Sequence, residues 1–273
     1  MLRRWRIALA GLTVVLGSIA AAGTAAASPA GTAAAAPAAS HLIRPAVHFT
    51  GHTGPGTRPF VLRGGRADTV YSTNWSGYAA TGRTYTKVSA TWVEPTGTCS
   101  KGDQYSSFWV GLDGYTSSTV EQTGSEMDCI GSTAKYYSWY EMYPAYPKNF
   151  SNTVKPGDHF YGSVTYNGSS SYTLVLKDTT RGWSHTINAT LSGAKNSSAE
   201  VIAEAPCCTA GGAILPLAHF SPVTFSSADA NGSAIGNYHP TQIVMVDNSG
   251  RAKDSVSALS GGNTFKVTWL RST

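Results

Sequence analysis

Beyond residue 70 the apolar side chains fall at every second position or in short β-branched bursts. Residues 88–93 read VSATWV, 106–112 SSFWVGL and 136–142 YYSWYEM. Similar runs occupy 159–166, 172–178, 183–191, 200–204, 223–225, 242–246 and 265–270, with Gly, Asn, Ser, Asp and Pro between them. Successive side chains of a strand point to opposite sides of the pleat, so a period of two marks a strand with one buried face. No stretch after Tyr71 carries the 3.6-residue repeat of an amphipathic helix. Many short strands punctuated by turn residues predict an all-β domain, a sandwich or barrel.

The first 70 residues are of another kind. Arg3, Arg4 and Arg6 precede an uncharged apolar run, and Ala25-Ala26-Ala27 suits a small-residue cleavage site. That is the anatomy of a bacterial-type secretory signal peptide over residues 1–27, with an uncleaved membrane anchor as the alternative. Residues 28–40 hold only Ala, Pro, Ser, Thr and Gly, a composition that cannot bury enough surface to fold. Residues 28–70 therefore read as a pro-segment or a plain linker. Residues 71–273 are long enough for one domain with a sizeable core.

This division changes the meaning of the charge. The whole chain is formally +5, but seven arginines lie in residues 1–70. From Tyr71 onward 13 Lys and Arg face 14 Asp and Glu. No basic patch argues for nucleic acid. The four cysteines, Cys99, Cys129, Cys207 and Cys208, allow three pairings. In an exported protein disulfides are expected. Cys99–Cys129 with a vicinal Cys207–Cys208 is preferred, while cross-pairing and free thiols stay open. No spacing suggests a metal site and no cofactor is expected.

The familiar catalytic signatures are missing: no G-x-S-x-G elbow, no Asp-Thr-Gly pair, no H-E-x-x-H. His159, His185, His219 and His239 stand in unrelated contexts and read as surface or packing residues. What remains is carboxylates and amides. Strand parity puts Glu200, Ile202 and Glu204 on one face and Val201 and Ala203 on the other. The acids could equally face water from an edge strand. Glu141 shares a face with Tyr137 and Trp139, as in a cleft wall. Asp113-Gly114 marks a turn, and Gln122 stands before an expected Thr-Gly turn.

Taken in order, these segments resemble the glutamic peptidases called eqolisins. The resemblance runs through Ser72-Thr73-Asn74-Trp75-Ser76-Gly77, Thr86-Lys87-Val88, Val93-Glu94-Pro95, Trp109 to Gly114, Gln122-Thr123-Gly124, Tyr140 to Pro144 and Ala199 to Glu204. It covers essentially all of 71–273. It implies a lectin-like β-sandwich of two large antiparallel sheets, a pro-segment removed at acid pH, and a Cys99–Cys129 bridge. It also implies a catalytic dyad of Gln122 and Glu204. Glu204 would act as the ionised general base on water, and Gln122 would hold the tetrahedral oxygen. Trp109, Asp113 and Glu141 follow as substrate-facing or dyad-supporting groups. Departures from the family pattern fall at Glu121, Met142, Val201 and Ala205, where subsite preference would change.

The expected protein is thus a secreted, monomeric acid endopeptidase acting on proteins or peptides, without nucleic acid, and without membrane once the signal is removed. Two rival readings remain. A retaining glycosidase could use Glu200 and Glu204, four residues apart, though Ile202 between them cannot assist. A non-catalytic glycan-binding module would need its acids at the solvent.

Overall fold

The computed structural model describes residues 69–273 except 101 and 207–213. The expected signal peptide, all but the end of the expected pro-segment, and the pair Cys207 and Cys208 lie outside the described residues. The strands are β1 (Thr69–Ser72), β2 (Trp75–Ala80), β3 (Lys87–Val93), β4 (Gln104–Leu112), β5 (Val120–Ile130), β6 (Thr133–Tyr143), β7 (Lys148–Asn149) and β8 (His159–Gly168). Then follow β9 (Ser171–Asp178), β10 (Trp183–Thr190), β11 (Ala199–Glu204), β12 (Val223–Ala230), β13 (Ser233–Ala234), β14 (Thr241–Met245), β15 (Asp254–Val256) and β16 (Phe265–Trp269). Among the described residues the helical content is a single 3-10 turn, Ile235–Tyr238.

The strands form two large sheets. The first runs β1-β14-β2-β11-β4-β5-β6-β7 and the second β10-β9-β8-β3-β12-β16-β15, with β13 beside β12. β1 joins β14 in parallel, and the neighbouring strands of the first sheet from β14 to β7 are antiparallel. This is the all-β sandwich expected from the period-two pattern.

Parity sorts the first sheet. Tyr78, Phe108, Val110, Leu112, Met127, Val201 and Ala203 enter one hydrophobic cluster with Trp92, Phe160, Phe225 and Phe265 of the second sheet. Each fully buried large apolar side chain contributes roughly 1.5–3 kcal/mol, so this layer dominates the favourable side of folding. The opposite face of the first sheet carries a separate cluster of Trp75, Ala79, Trp109, Val120, Trp139, Ile202 and Ile243. A disulfide joins Cys99 to Cys129, with 5.3 Å between the Cα atoms. Two of the histidines do pack: the rings of His185 and Phe150, and of His219 and Trp269, each lie 4.0 Å apart.

Two expectations are corrected here. β11 is not a solvated edge strand: it lies between β2 and β4, and all six of its residues are buried. Gln122 does not precede a turn. It lies inside the 11-residue strand β5, and Thr123-Gly124 continue that strand. Gly124 is there because another chain segment approaches too closely for a side chain. A Cβ at 124 would stand 2.3 Å from the Phe108 carbonyl oxygen and 2.6 Å from Trp109 Cβ. Glycine within a strand marks such a contact as readily as it marks a turn.

Candidate active site

Three strand-crossing rows build the site on the outer face of the first sheet. Hydrogen-bond register aligns Glu200 with Gly111, Gln122 and Glu141 across β11, β4, β5 and β6. The next row is Ile202, Trp109, Gly124 and Trp139, and the third is Glu204, Ser107, Glu126 and Tyr137. Residues aligned across antiparallel strands share a face, so all twelve project from the same side. The Trp109 indole needs both neighbouring glycines: a Cβ on Gly111 would meet its Cζ3 at 2.9 Å. Trp75 packs edge-on against it, with centroids 5.0 Å apart.

Glu204 is fully buried. Its Oε2 accepts a hydrogen bond from Trp109 Nε1 at 2.8 Å, and its Oε1 accepts one from Asn74 Nδ2 at 3.2 Å. Burial pushes its pKa well above the ordinary glutamate range. Donation from Trp109 opposes this, the Glu141 charge adds to it, and Trp75 and Asn74 oppose it further. Gln122 is also fully buried. Its Nε2 donates to Glu141 Oε2 at 2.7 Å, and its Oε1 has no hydrogen-bond partner. Glu141 therefore connects the two residues: it takes the amide of one and acts electrostatically on the other.

Glu200 lies in the Gln122 row, on the same face as Glu204. Burial raises its pKa strongly, partly offset by Ser198. Neither of its oxygens has a partner in good hydrogen-bond geometry.

Asp113 does something other than face a substrate. Its Oδ2 accepts from the backbone N–H of Lys195 (2.8 Å) and Asn196 (2.6 Å), and its Oδ1 from that of Ser197 (2.8 Å). The Ser197 hydroxyl adds a contact at 3.0 Å. Both oxygens are thus engaged in tying the end of β4 to the segment that leads into β11.

Two further residues went unnoticed in the sequence. Glu126 and Asp128 project from β5 beside the site, and the Tyr137 hydroxyl donates to Asp128 Oδ2 at 2.7 Å. Burial raises Glu126 strongly and Asp128 to about 7, the two carboxyls influencing one another. Period two from Gln122 would have found both, had 120–130 been read as a strand.

The sequence matches the Peptidase A4 family over residues 73–269. The chain belongs to that family. Aspergillopepsin-2 of Aspergillus niger is 30% identical to it over 244 residues, 79% of this chain and 84% of the relative. Among solved structures, scytalido-glutamic peptidase with a transition state analog inhibitor superposes with a TM-score of 0.64 and 25% identity, covering 72% of this chain and 98% of that one. The aspergilloglutamic peptidase of Aspergillus niger gives 0.53 and 28%, covering 61% and 99%. As a Peptidase A4 member the chain is a glutamic endopeptidase, a hydrolase of peptide bonds.

Proposed function

We propose that the chain is a secreted acid endopeptidase whose reaction is carried by Gln122 and Glu204. The observation that supports this most is their common tie to Glu141, which binds the Gln122 amide and bears on Glu204. Between them they offer one titrating proton carrier and one neutral group with a free acceptor and a second N–H.

Peptide hydrolysis needs a water oxygen bonded to the carbonyl carbon and a C–N bond broken with its electrons and a proton on nitrogen. Raised by burial, Glu204 enters the reaction at acid pH in its protonated form. This modifies the ionised base expected from the sequence. One Glu204 oxygen gives its proton to the substrate carbonyl oxygen while the other takes a proton from the attacking water. The resulting diol returns a proton to Glu204 as Glu204 protonates the departing nitrogen, leaving acid, amine and the original carboxyl. Gln122 Oε1 accepts from the water, and its second N–H steadies the tetrahedral oxygen, a role worth roughly 3–4 kcal/mol in comparable sites.

Trp109 and Glu141 hold the two groups, and Asp113 secures the β4 end on which they depend. Substrates are proteins or peptides; the scytalido-glutamic peptidase relative was solved with a transition state analog inhibitor. The binding-module reading loses support, because Glu200 and Glu204 are buried rather than solvated. A glycosidase pairing of those two acids is hindered by Ile202, which packs between them into the tryptophan cluster.

Gln122→Ala and Glu204→Gln should each abolish casein cleavage at about pH 3–4. Retained cleavage in either removes the dyad. Secretion and maturation belong to the same reading, with residues 1–27 as signal and 28–70 as pro-segment. Acid incubation of the precursor should yield a new N-terminus near residues 67–71. No helix of the described residues is long and apolar enough to cross a membrane.

A further inference from the structure

Three side chains lower the burial-raised pKa of Glu204: Trp109, to which the sequence had assigned a role, Trp75 and Asn74. Asn74 holds Oε1 and is fully buried in the link between β1 and β2. We propose that Asn74, gripped by Ser72, is a positioning residue that sets the orientation of the Glu204 carboxyl without touching substrate. The inference rests on the catalytic assignment of Glu204 made above.

The grip is complete at both ends. The Ser72 hydroxyl donates to Asn74 Oδ1 at 3.1 Å and accepts from the backbone N–H of Asn74 (3.3 Å) and Trp75 (3.1 Å). That uses the one donor and both acceptor positions of a serine hydroxyl. Ser72 is itself anchored, its carbonyl accepting from Val246 N–H at 2.8 Å at the end of the β1–β14 pairing. On the other side the Asn74 carbonyl accepts from Ala205 N–H at 2.8 Å, so the residue after Glu204 is held by the same asparagine. Asn74 thus fixes the end of β11 through its backbone and the Glu204 carboxyl through its side chain.

The chemistry explains why an amide suits this place. Trp109 holds Oε2, and Trp75 also bears on the carboxyl. Asn74 is the donor on Oε1, and a donor on each oxygen fixes the carboxyl plane. Glu204 must also gain and lose a proton. A lysine here would lock it as a carboxylate, while an aspartate would add another titrating group. An asparagine donates at every pH and carries no charge. The titratable groups facing Glu204 from packed elements are Glu141 on β6 and Glu126 on β5. The facing residues of β2 and β4 (Trp75, Gly77, Ala79, Ser107, Trp109, Gly111) add none, and Glu200 shares its strand.

The test is the pH profile of kcat and kcat/KM for peptide cleavage by the full chain. Asn74→Ala, the isosteric Asn74→Asp, Ser72→Ala and Ser72→Thr are compared, each with a circular dichroism melt. Losing a donor to the carboxylate raises the Glu204 pKa, so the descending limb should move up by about one pH unit in Asn74→Ala. Its kcat should fall about tenfold or more, with KM within about twofold. Asn74→Asp should move the limb the same way, which keeps the test open should Asn74→Ala fail to fold. Ser72→Ala should shift it less, and Ser72→Thr should restore it. A folded Asn74 variant with an unmoved limb overturns the inference, whatever its overall rate. Glu204→Gln separates this from the underlying reading. If Glu204→Gln is active, the assignment of Glu204 falls. If it is inactive and the Asn74 limb is unmoved, the positioning role alone falls.

Discussion

The Gln122 amide nitrogen sits 2.7 Å from a carboxyl oxygen of Glu141, its directly aligned partner on β6. A glutamine side chain has two orientations that differ only in which atom is N and which is O. A carboxylate acceptor selects the one that aims Nε2 at it and leaves Oε1 for water. Glu141→Gln keeps the shape but can donate as well as accept, so it no longer enforces that choice. The expected outcome is a fall in kcat of about 10–100-fold with little change in KM, since about 1.5–3 kcal/mol attaches to a charged hydrogen bond. Steady-state kinetics on a chromogenic peptide measures it.

Trp109 acts on Glu204 in two ways, as a wall and as a donor. Trp109→Phe retains most of the wall and loses the 2.8 Å hydrogen bond. Burial then raises Glu204 with less opposition. The descending limb of the pH–rate profile should move to higher pH, with kcat reduced. Trp109→Ala removes the wall too and should cost about 3–5 kcal/mol of stability by denaturant unfolding.

Gly124 is the seat of that tryptophan. Gly124→Ala places a methyl 2.3 Å from the Phe108 carbonyl oxygen, and backbone cannot yield as a flexible side chain does. β4 and β5 must separate locally. A loss of at least about 1–3 kcal/mol is expected, together with reduced activity as Trp109 shifts off Glu204. Unfolding midpoint and kcat, measured on the same preparation, should fall together.

Eleven acids of the described domain are buried, among them Glu94, Glu121, Glu126, Glu200, Glu204 and Asp254. Burial raises Glu121 to about 9 and Asp128 and Asp254 to about 7, and lifts Glu94, Glu126, Glu200 and Glu204 well above the usual range. The folded state holds these protons at pH values where the unfolded chain, ionising near 4, has released them. Stability is therefore full below about pH 4 and falls as pH rises toward the folded pKa of each group. The melting temperature should drop steadily between pH 4 and 8. Glu121 is buried, and neither of its oxygens has a partner in good hydrogen-bond geometry. Glu121→Gln removes its proton release and should make the drop shallower; an unchanged slope would count against this source of the pH dependence.

The sequence by itself determined the layers. Alternation is a local property, and it separated Val201 and Ala203 from Glu200, Ile202 and Glu204 before any contact was known. Ordered motifs marked Gln122 and Glu204, as well as the Cys99–Cys129 pairing that the structure contains. Tertiary structure decided what alternation cannot express: which strands are neighbours. Register across β11, β4, β5 and β6 brought Gln122 onto Glu141 and set Glu126 in line with Glu204. It turned Gly124 from a turn signal into a point of close approach, and gave Asp113 to the loop before β11 rather than to a substrate. It also carried Asn74 across 130 positions of sequence to Glu204. Cross-strand contacts depend on pairing and burial, which are properties of the assembled sheet, and no periodicity within one strand contains them.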